Sequence, residues 1–138
     1  MTDEEFIRKV EDGTIPGFHH RDHLRLTWIY LQAAGVEEAY QRVSQTIKTF
    51  AARHGHSAKY HETITRFWVL LMAYAMRHHP YALSFEDLIL AEPHLLEKRL
   101  PWKHWSEKRL MSDEARTDWL EPDIAALPWS MSAGSAGR

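Results

Sequence analysis

The segment Phe67–Met76 is apolar along almost its whole length, and it constrains the fold more than any other part of the sequence. A helix that is apolar on every side is a buried, central helix rather than a surface helix. The segment is too short to cross a bilayer, which needs roughly 20 apolar residues. Lys59, Tyr60, His61 and Glu62 come shortly before it. We therefore expect the first turn of a core helix to carry a histidine and a carboxylate near the interior.

Further helices are predicted before this central helix. Phe18–Leu31 is a second apolar stretch, and it contains His20 and His23. A helix is predicted to begin near these histidines. Val36–His54 has apolar residues at helical spacing on one face and charged residues on the other. No segment alternates between polar and apolar residues for long enough to indicate a strand. We predict an all-α fold, a compact bundle of about four main helices with short C-terminal helices packed over it.

Short helices are predicted at both ends of the chain from residue types that favour helix starts. Thr2 and Glu5 form a capping box for a first helix that runs to about Val10. Further starts are predicted at Ser84, Pro93 and Ser112. The length of 138 residues predicts one helical domain, which we place at residues 1–128. Residues 129–138 are small and polar for the most part and are predicted to form a flexible C-terminal tail.

The composition excludes several classes of function. Seventeen basic and nineteen acidic side chains give a formal charge of −2, which provides no electrostatic footprint for nucleic acid or an anionic membrane. The absence of cysteine excludes disulfides, thiolate chemistry and iron–sulfur clusters. The acidic segment Met1–Val10 has no apolar core typical of a signal peptide. A cytoplasmic protein is therefore expected, with a small-molecule substrate, no nucleic acid and no membrane as partner, and a homodimer left open.

Three histidines are the candidate metal ligands. His20 and His23 are three residues apart on one predicted helix, so they are neighbours on its surface and could share one metal ion. His61 would complete the set if the two helices pack side by side, with Glu62 as a fourth ligand or a general base. Three histidines with an open position suit zinc, copper or iron. A structural role for the histidines is the competing interpretation, as is acid–base chemistry without a metal.

Other candidate residues lie near the same helix start. We assign Glu62 and Tyr60 as candidate catalytic residues. Lys59, Thr65 and Arg116 are candidate substrate-binding residues, Thr65 because it follows His61 by one helical turn. An ion pair with Glu62 is the preferred interpretation of Arg66, which lies four residues later.

Several motifs resemble those of a family of small bacterial proteins of uncharacterised function. They are Phe18-x-His20-x-x-His23-Leu24 followed by Trp28, the string Lys59-Tyr-His-Glu-Thr-Ile-Thr65, Ser112-x-Glu114-Ala-Arg116, and Pro122-Asp123 before Leu127-Pro128. The resemblance spans Phe18 to Pro128 and implies no particular activity. It is the resemblance that adds Arg116 to the candidate residues, as a group that binds a carboxylate or pairs with Asp123.

Three hypotheses for function follow. The leading one is a small metal-dependent enzyme that acts on a small organic molecule, with a mononuclear Fe, Cu or Zn site held by His20, His23 and His61 between two helices. The second is a metal-free helical module that binds a small acidic ligand. The third is a protein-interaction module in which exposed tryptophans mark a partner surface.

Overall fold

The computed structural model of the chain describes residues 1–130. Over these residues the structure is helical and contains no strand, which confirms the all-α prediction. The α-helices are α1 (Asp3–Glu11), α2 (His20–Ala33), α3 (Val36–Arg53), α4 (Glu62–His78), α5 (Phe85–Ala91), α6 (Glu107–Leu110) and α7 (Asp113–Thr117), and 3-10 helices cover Ser57–Lys59, Pro93–Leu96 and Leu100–Lys103.

The chain divides into two compact units, Met1–Tyr60 and His61–Arg138. The first unit contains α1 to α3, with α3 in contact with both α1 and α2. The second contains α4 to α7, with α7 in contact with both α4 and α6. The single domain over residues 1–128 stays a prediction, and residues 131–138 of the predicted tail lie outside the described part of the chain.

Local sequence signals explain most of the helix boundaries. Thr2 caps α1, and the Glu5 side chain accepts from the Thr2 backbone, so the predicted capping box is confirmed. Serines cap the short helices of the second unit, at Ser84, Ser106 and Ser112. Gly55 follows α3 with a φ of 72°, a backbone conformation that glycine adopts without the strain a Cβ would cause.

Some boundaries differ from the prediction. A glycine after a helix commonly closes it, but Gly35 has an extended backbone, with a φ of −68°, and caps the start of α3. The central helix begins at Glu62 and His61 is its N-cap, so the histidine lies just before the first turn and the carboxylate lies in it. The 3-10 helix over Leu100–Lys103 was not predicted. The short helix α6 was not predicted.

The helix α4 is the most deeply buried element of the second unit. Phe67, Val69 and Met72 are fully buried, and only Leu70, Tyr74 and Met76 in the predicted apolar run are partly exposed. Phe67 packs edge-on against the buried Trp105, with ring centroids 5.5 Å apart. Each large side chain removed from water in this way contributes about 1.5–3 kcal/mol. This packing determines where α4 lies in the second unit, and with it the polar residues at its start.

Candidate functional site

His61 is buried at the start of α4, where both of its ring nitrogens bind backbone groups. Nδ1 accepts a hydrogen bond from the Ile64 amide at 3.1 Å, which caps the helix. Nε2 is 2.6 Å from the carbonyl oxygen of Leu110, and since a carbonyl only accepts, Nε2 carries the proton and donates. This is the neutral form of the ring. A metal ion at either nitrogen would have to replace one of these two bonds.

The pKa of His61 agrees with this neutral state. Burial lowers it below the ordinary value, and the positive charge of Arg116 lowers it further. The hydrogen bond to the Leu110 carbonyl opposes these effects but does not outweigh them. The influence of Arg116 also shows that α7 brings this predicted site residue into electrostatic range of the start of α4.

Thr63 is fully buried and holds the chain that follows α7. Its hydroxyl donates to the carbonyl oxygen of Asp118 at 2.6 Å and accepts from the amide of Leu120 at 3.2 Å. The Trp105 indole donates to the Leu120 carbonyl at 3.0 Å, so the same segment is bound from a second side. His61 and Thr63 therefore each connect α4 to backbone groups of the C-terminal segment.

Glu62 lies between these two residues in sequence but has a different environment. Its side chain is half-buried, and this loss of hydration raises the pKa of the carboxyl group. Arg66, one turn further along α4, lowers the pKa, whereas the Asp118 carboxylate raises it. Burial is the largest of these influences. Raised carboxyl pKa values are characteristic of groups that exchange protons near neutral pH.

The surroundings of Glu62 combine positive charge with an aromatic surface. The guanidinium carbon of Arg66 lies 6.0 Å from the centroid of the Trp119 ring. Trp119 also packs edge-on against Trp105 and donates its indole N–H to the Glu121 carboxylate at 3.1 Å. A half-buried carboxyl group, two arginines and an indole face thus occur together in the second unit, at the start of α4 and at α7.

His20 and His23 lie in the first turn of α2, in the first unit. The His23 ring stacks on Phe18 with centroids 4.2 Å apart. Burial lowers the pKa of His23 to about 4, with a smaller contribution from the positive charge that His20 can carry. His23 is therefore neutral at pH 7, the state that a metal-binding imidazole needs.

The remaining candidates have simpler environments. Lys59 is exposed at the end of the first 3-10 helix. The Tyr60 hydroxyl is 2.8 Å from Ser44 Oγ, and the Lys48 ammonium lies 5.0 Å from the centre of the Tyr60 ring, so Tyr60 joins α3 to the end of the first unit. Thr65 is half-buried in the second turn of α4.

No group of three His, Cys, Asp or Glu side chains within residues 1–130 is arranged to hold a metal ion. The three-histidine site therefore stays a prediction. None of the helices described over the same residues is long and apolar enough to cross a membrane.

Two residues that lie near Glu62 or Arg66 in the structure, Asp118 and Trp119, were absent from the predicted site. Asp118 influences Glu62 through its carboxylate, and Trp119 provides the aromatic surface beside Arg66. Both follow directly after the Ser112–Arg116 motif, so their closeness to Arg116 in sequence was the available signal. Thr63 binds the backbone of Asp118 and Leu120 on either side of Trp119, and no local pattern predicts these two hydrogen bonds.

Comparison with known proteins gives no assignment. No protein-family model, no curated protein and no solved structure matches the chain. The resemblance to a family of small bacterial proteins therefore stays a prediction.

Proposed function

We propose that the protein binds a small organic acid beside the start of α4 and that Glu62 exchanges a proton with this ligand. The observation that carries the proposal is the half-buried Glu62 carboxyl group, whose pKa is raised by burial although Arg66 opposes the rise. Keeping an ionisable group partly out of water is unfavourable for stability, and such arrangements occur most often where a site uses the group.

The neighbouring side chains suit an acidic ligand. A guanidinium group binds a carboxylate through two parallel hydrogen bonds, a geometry that favours an arginine as the anchor. We assign this role to Arg116, since Arg66 already acts on the Glu62 carboxyl group and lies near the Trp119 ring. The indole of Trp119 offers an apolar face to the organic part of the ligand. Glu62 in its protonated form donates a hydrogen bond to a ligand oxygen, and in its ionised form it accepts a proton. Bound substrate thus meets an anchor, an apolar surface and a proton-transfer group.

The first experiment is a thermal-shift screen of mono- and dicarboxylic acids with and without EDTA, followed by calorimetric titration of any ligand found. We expect EDTA-independent stabilisation, and binding at least tenfold weaker in Arg116→Gln. The matched control is Arg77→Gln, which removes a guanidinium from the other end of α4. Glu62→Gln should retain binding but abolish its pH dependence. Failure of every acid to stabilise the protein, or equal binding by the Arg116 and Arg77 variants, refutes the proposal.

The metal-dependent enzyme is the second candidate, and the neutral state of His23 beside His20 is the observation that favours it. Elemental analysis of tag-free protein purified without chelator, before and after dialysis against EDTA, tests this candidate. Near-stoichiometric Fe, Cu or Zn in the wild type that is lost in His23→Ala would support it. Absence of metal, with no uptake of added ions, would refute it. For both candidate functions we propose that the protein is cytoplasmic.

A further inference from the structure

A groove of about 720 Å³ lies on the first unit and is lined by residues of α1, α2 and α3. Its volume falls within the range of roughly 300–1,000 Å³ that small-molecule sites occupy. None of its lining residues belongs to the acid-binding site proposed above, so it is a separate candidate site. We call it the α1–α3 groove.

The apolar part of the α1–α3 groove comes from Ile7 of α1 and from Ile29 and Ala33 of α2. Tyr30 lies beside them and is almost fully buried. Its hydroxyl donates to Glu11 Oε2 at 2.9 Å and, because its single proton is used there, accepts from Thr46 at 3.0 Å. The Glu11 carboxylate is thereby held in one position on the groove.

The Tyr30 hydroxyl keeps its proton over the whole physiological range. Burial raises the pKa of Tyr30 to about 12, and the Glu11 carboxylate contributes to the rise. Tyr30 therefore stays a hydrogen-bond donor to Glu11 and does not become a competing anion. The carboxylate beside it remains available to a positively charged group.

Charges in the α1–α3 groove are divided between helices. Apart from Arg8, the charged lining residues of α1 and its C-cap are acidic, and they include Glu4, Glu11 and Asp12. The two residues that α3 contributes are Arg42 and Arg53. A ligand with a single charge of either sign would meet repulsion from one of these groups, whereas a ligand with both charges would be attracted by each.

Existing ion pairs reduce these charges without removing them. Arg42 pairs with Glu38 at 3.0 Å, and about half of each side chain is exposed. Asp3, a further acidic lining residue, pairs with Arg25 at 2.9 Å. Exposed pairs of this kind contribute little to stability, so a ligand can compete for Arg42 at small cost.

We infer that the α1–α3 groove binds a short peptide with free termini and apolar side chains. The peptide ammonium group lies against the α1 carboxylates, with Glu11 as its principal partner. The peptide carboxylate binds Arg42 and Arg53 of α3. The apolar side chains cover Ile7, Ile29 and Ala33. This site is independent of the organic-acid site, because all of its residues belong to the first unit.

The test is an NMR titration of the ¹⁵N-labelled full chain with trileucine, its N-acetylated form and its C-terminal amide. We expect trileucine to shift the amide signals of Ile7, Ile29 and Ala33, whereas ligands of the organic-acid site shift those near Glu62. Each blocked peptide should bind about fivefold more weakly, the effect of one exposed charge pair. Because the two sites are followed through different amide signals, absence of binding at one site does not decide the proposal for the other.

Variants assign the two ends of the peptide. Glu11→Gln should weaken binding of trileucine but leave the N-acetylated peptide unchanged, and Arg42→Gln should do the same for the C-terminal amide. Glu37→Gln is the matched control, since Glu37 lies on α3 outside the groove. No shift at millimolar trileucine, equal binding of all three peptides, or shifts confined to other residues would overturn the inference.

Discussion

Replacing Thr63 by valine should destabilise the protein strongly, because valine has nearly the same shape but cannot make a hydrogen bond. Thr63 is fully buried, and its hydroxyl binds the Asp118 carbonyl at 2.6 Å and the Leu120 amide at 3.2 Å. A buried hydrogen bond contributes about 0.5–1.5 kcal/mol, and a polar group left without a partner costs about 1–3 kcal/mol. We therefore expect Thr63→Val to lower the free energy of unfolding by about 2–4 kcal/mol.

Urea denaturation followed by tryptophan fluorescence measures this loss, and hydrogen exchange locates it. The amide of Leu120 should exchange faster in Thr63→Val than in the wild type. Thr63→Ser keeps the hydroxyl and should lose only about 1 kcal/mol, the effect of one buried methyl group. Thr65→Val, two residues further along α4 and on a different side of the helix, is the control. A Thr63→Val protein within 0.5 kcal/mol of the wild type, with Leu120 equally protected, would show that the two hydrogen bonds do not hold the C-terminal segment.

Three further predictions concern ionisable groups. The pKa of His23 falls from 6.5 to about 4 on folding, so the unfolded chain binds more protons than the native state between these two pH values. Stability is therefore lost as the pH falls through this range. Urea titrations should show a loss of unfolding free energy that is about 3 kcal/mol larger in the wild type than in His23→Gln. Because burial raises the Glu62 pKa, the native state keeps the Glu62 proton to a higher pH than the unfolded chain does, and the contribution of Glu62 to stability falls as the pH rises above 4.5. Carboxyl NMR should show a higher Glu62 pKa in Arg66→Gln than in the wild type, since Arg66 lowers this pKa. Ultraviolet titration should show one tyrosine with a pKa near 12, and Tyr30→Phe should remove it; no such transition would contradict the burial argument.

The parts of the fold that depend on local sequence could be predicted. The apolar run from Phe67 to Met76 predicted the buried helix α4, and Thr2 with Glu5 predicted the start of α1. Periodicity and capping act within a few residues, so the pattern contains the relevant physics. The helix α6 was missed because it is only four residues long, and its cap, Ser106, is itself bound by Asp123, 17 residues away.

The candidate site could be predicted in only some of its residues, and the hydrogen bonds that His61 and Thr63 make could not be predicted. His61 and Thr63 bind backbone groups that lie 49 and 55 residues further along the chain. No local pattern shows that a histidine at a helix start will use both ring nitrogens on backbone atoms. The position of His61 at the head of a buried helix was visible in the sequence, whereas its partner, the Leu110 carbonyl, depends on the packing of the second unit.

The polar string at the start of α4 therefore divides into two kinds of residue, and this division decides how mutations in it should be interpreted. His61 and Thr63 hold backbone groups, so replacing either one damages the structure, and a loss of function in such a variant says nothing about chemistry. Glu62 differs from these two residues, because it is only half-buried and burial disfavours its ionised form, so that glutamine removes an unfavourable ionisation. A variant Glu62→Gln that is as stable as the wild type and binds the organic acid without the wild-type pH dependence would therefore assign the proton-transfer role to Glu62. A variant that keeps the wild-type pH dependence of binding would refute that role, however conspicuous the string is in the sequence.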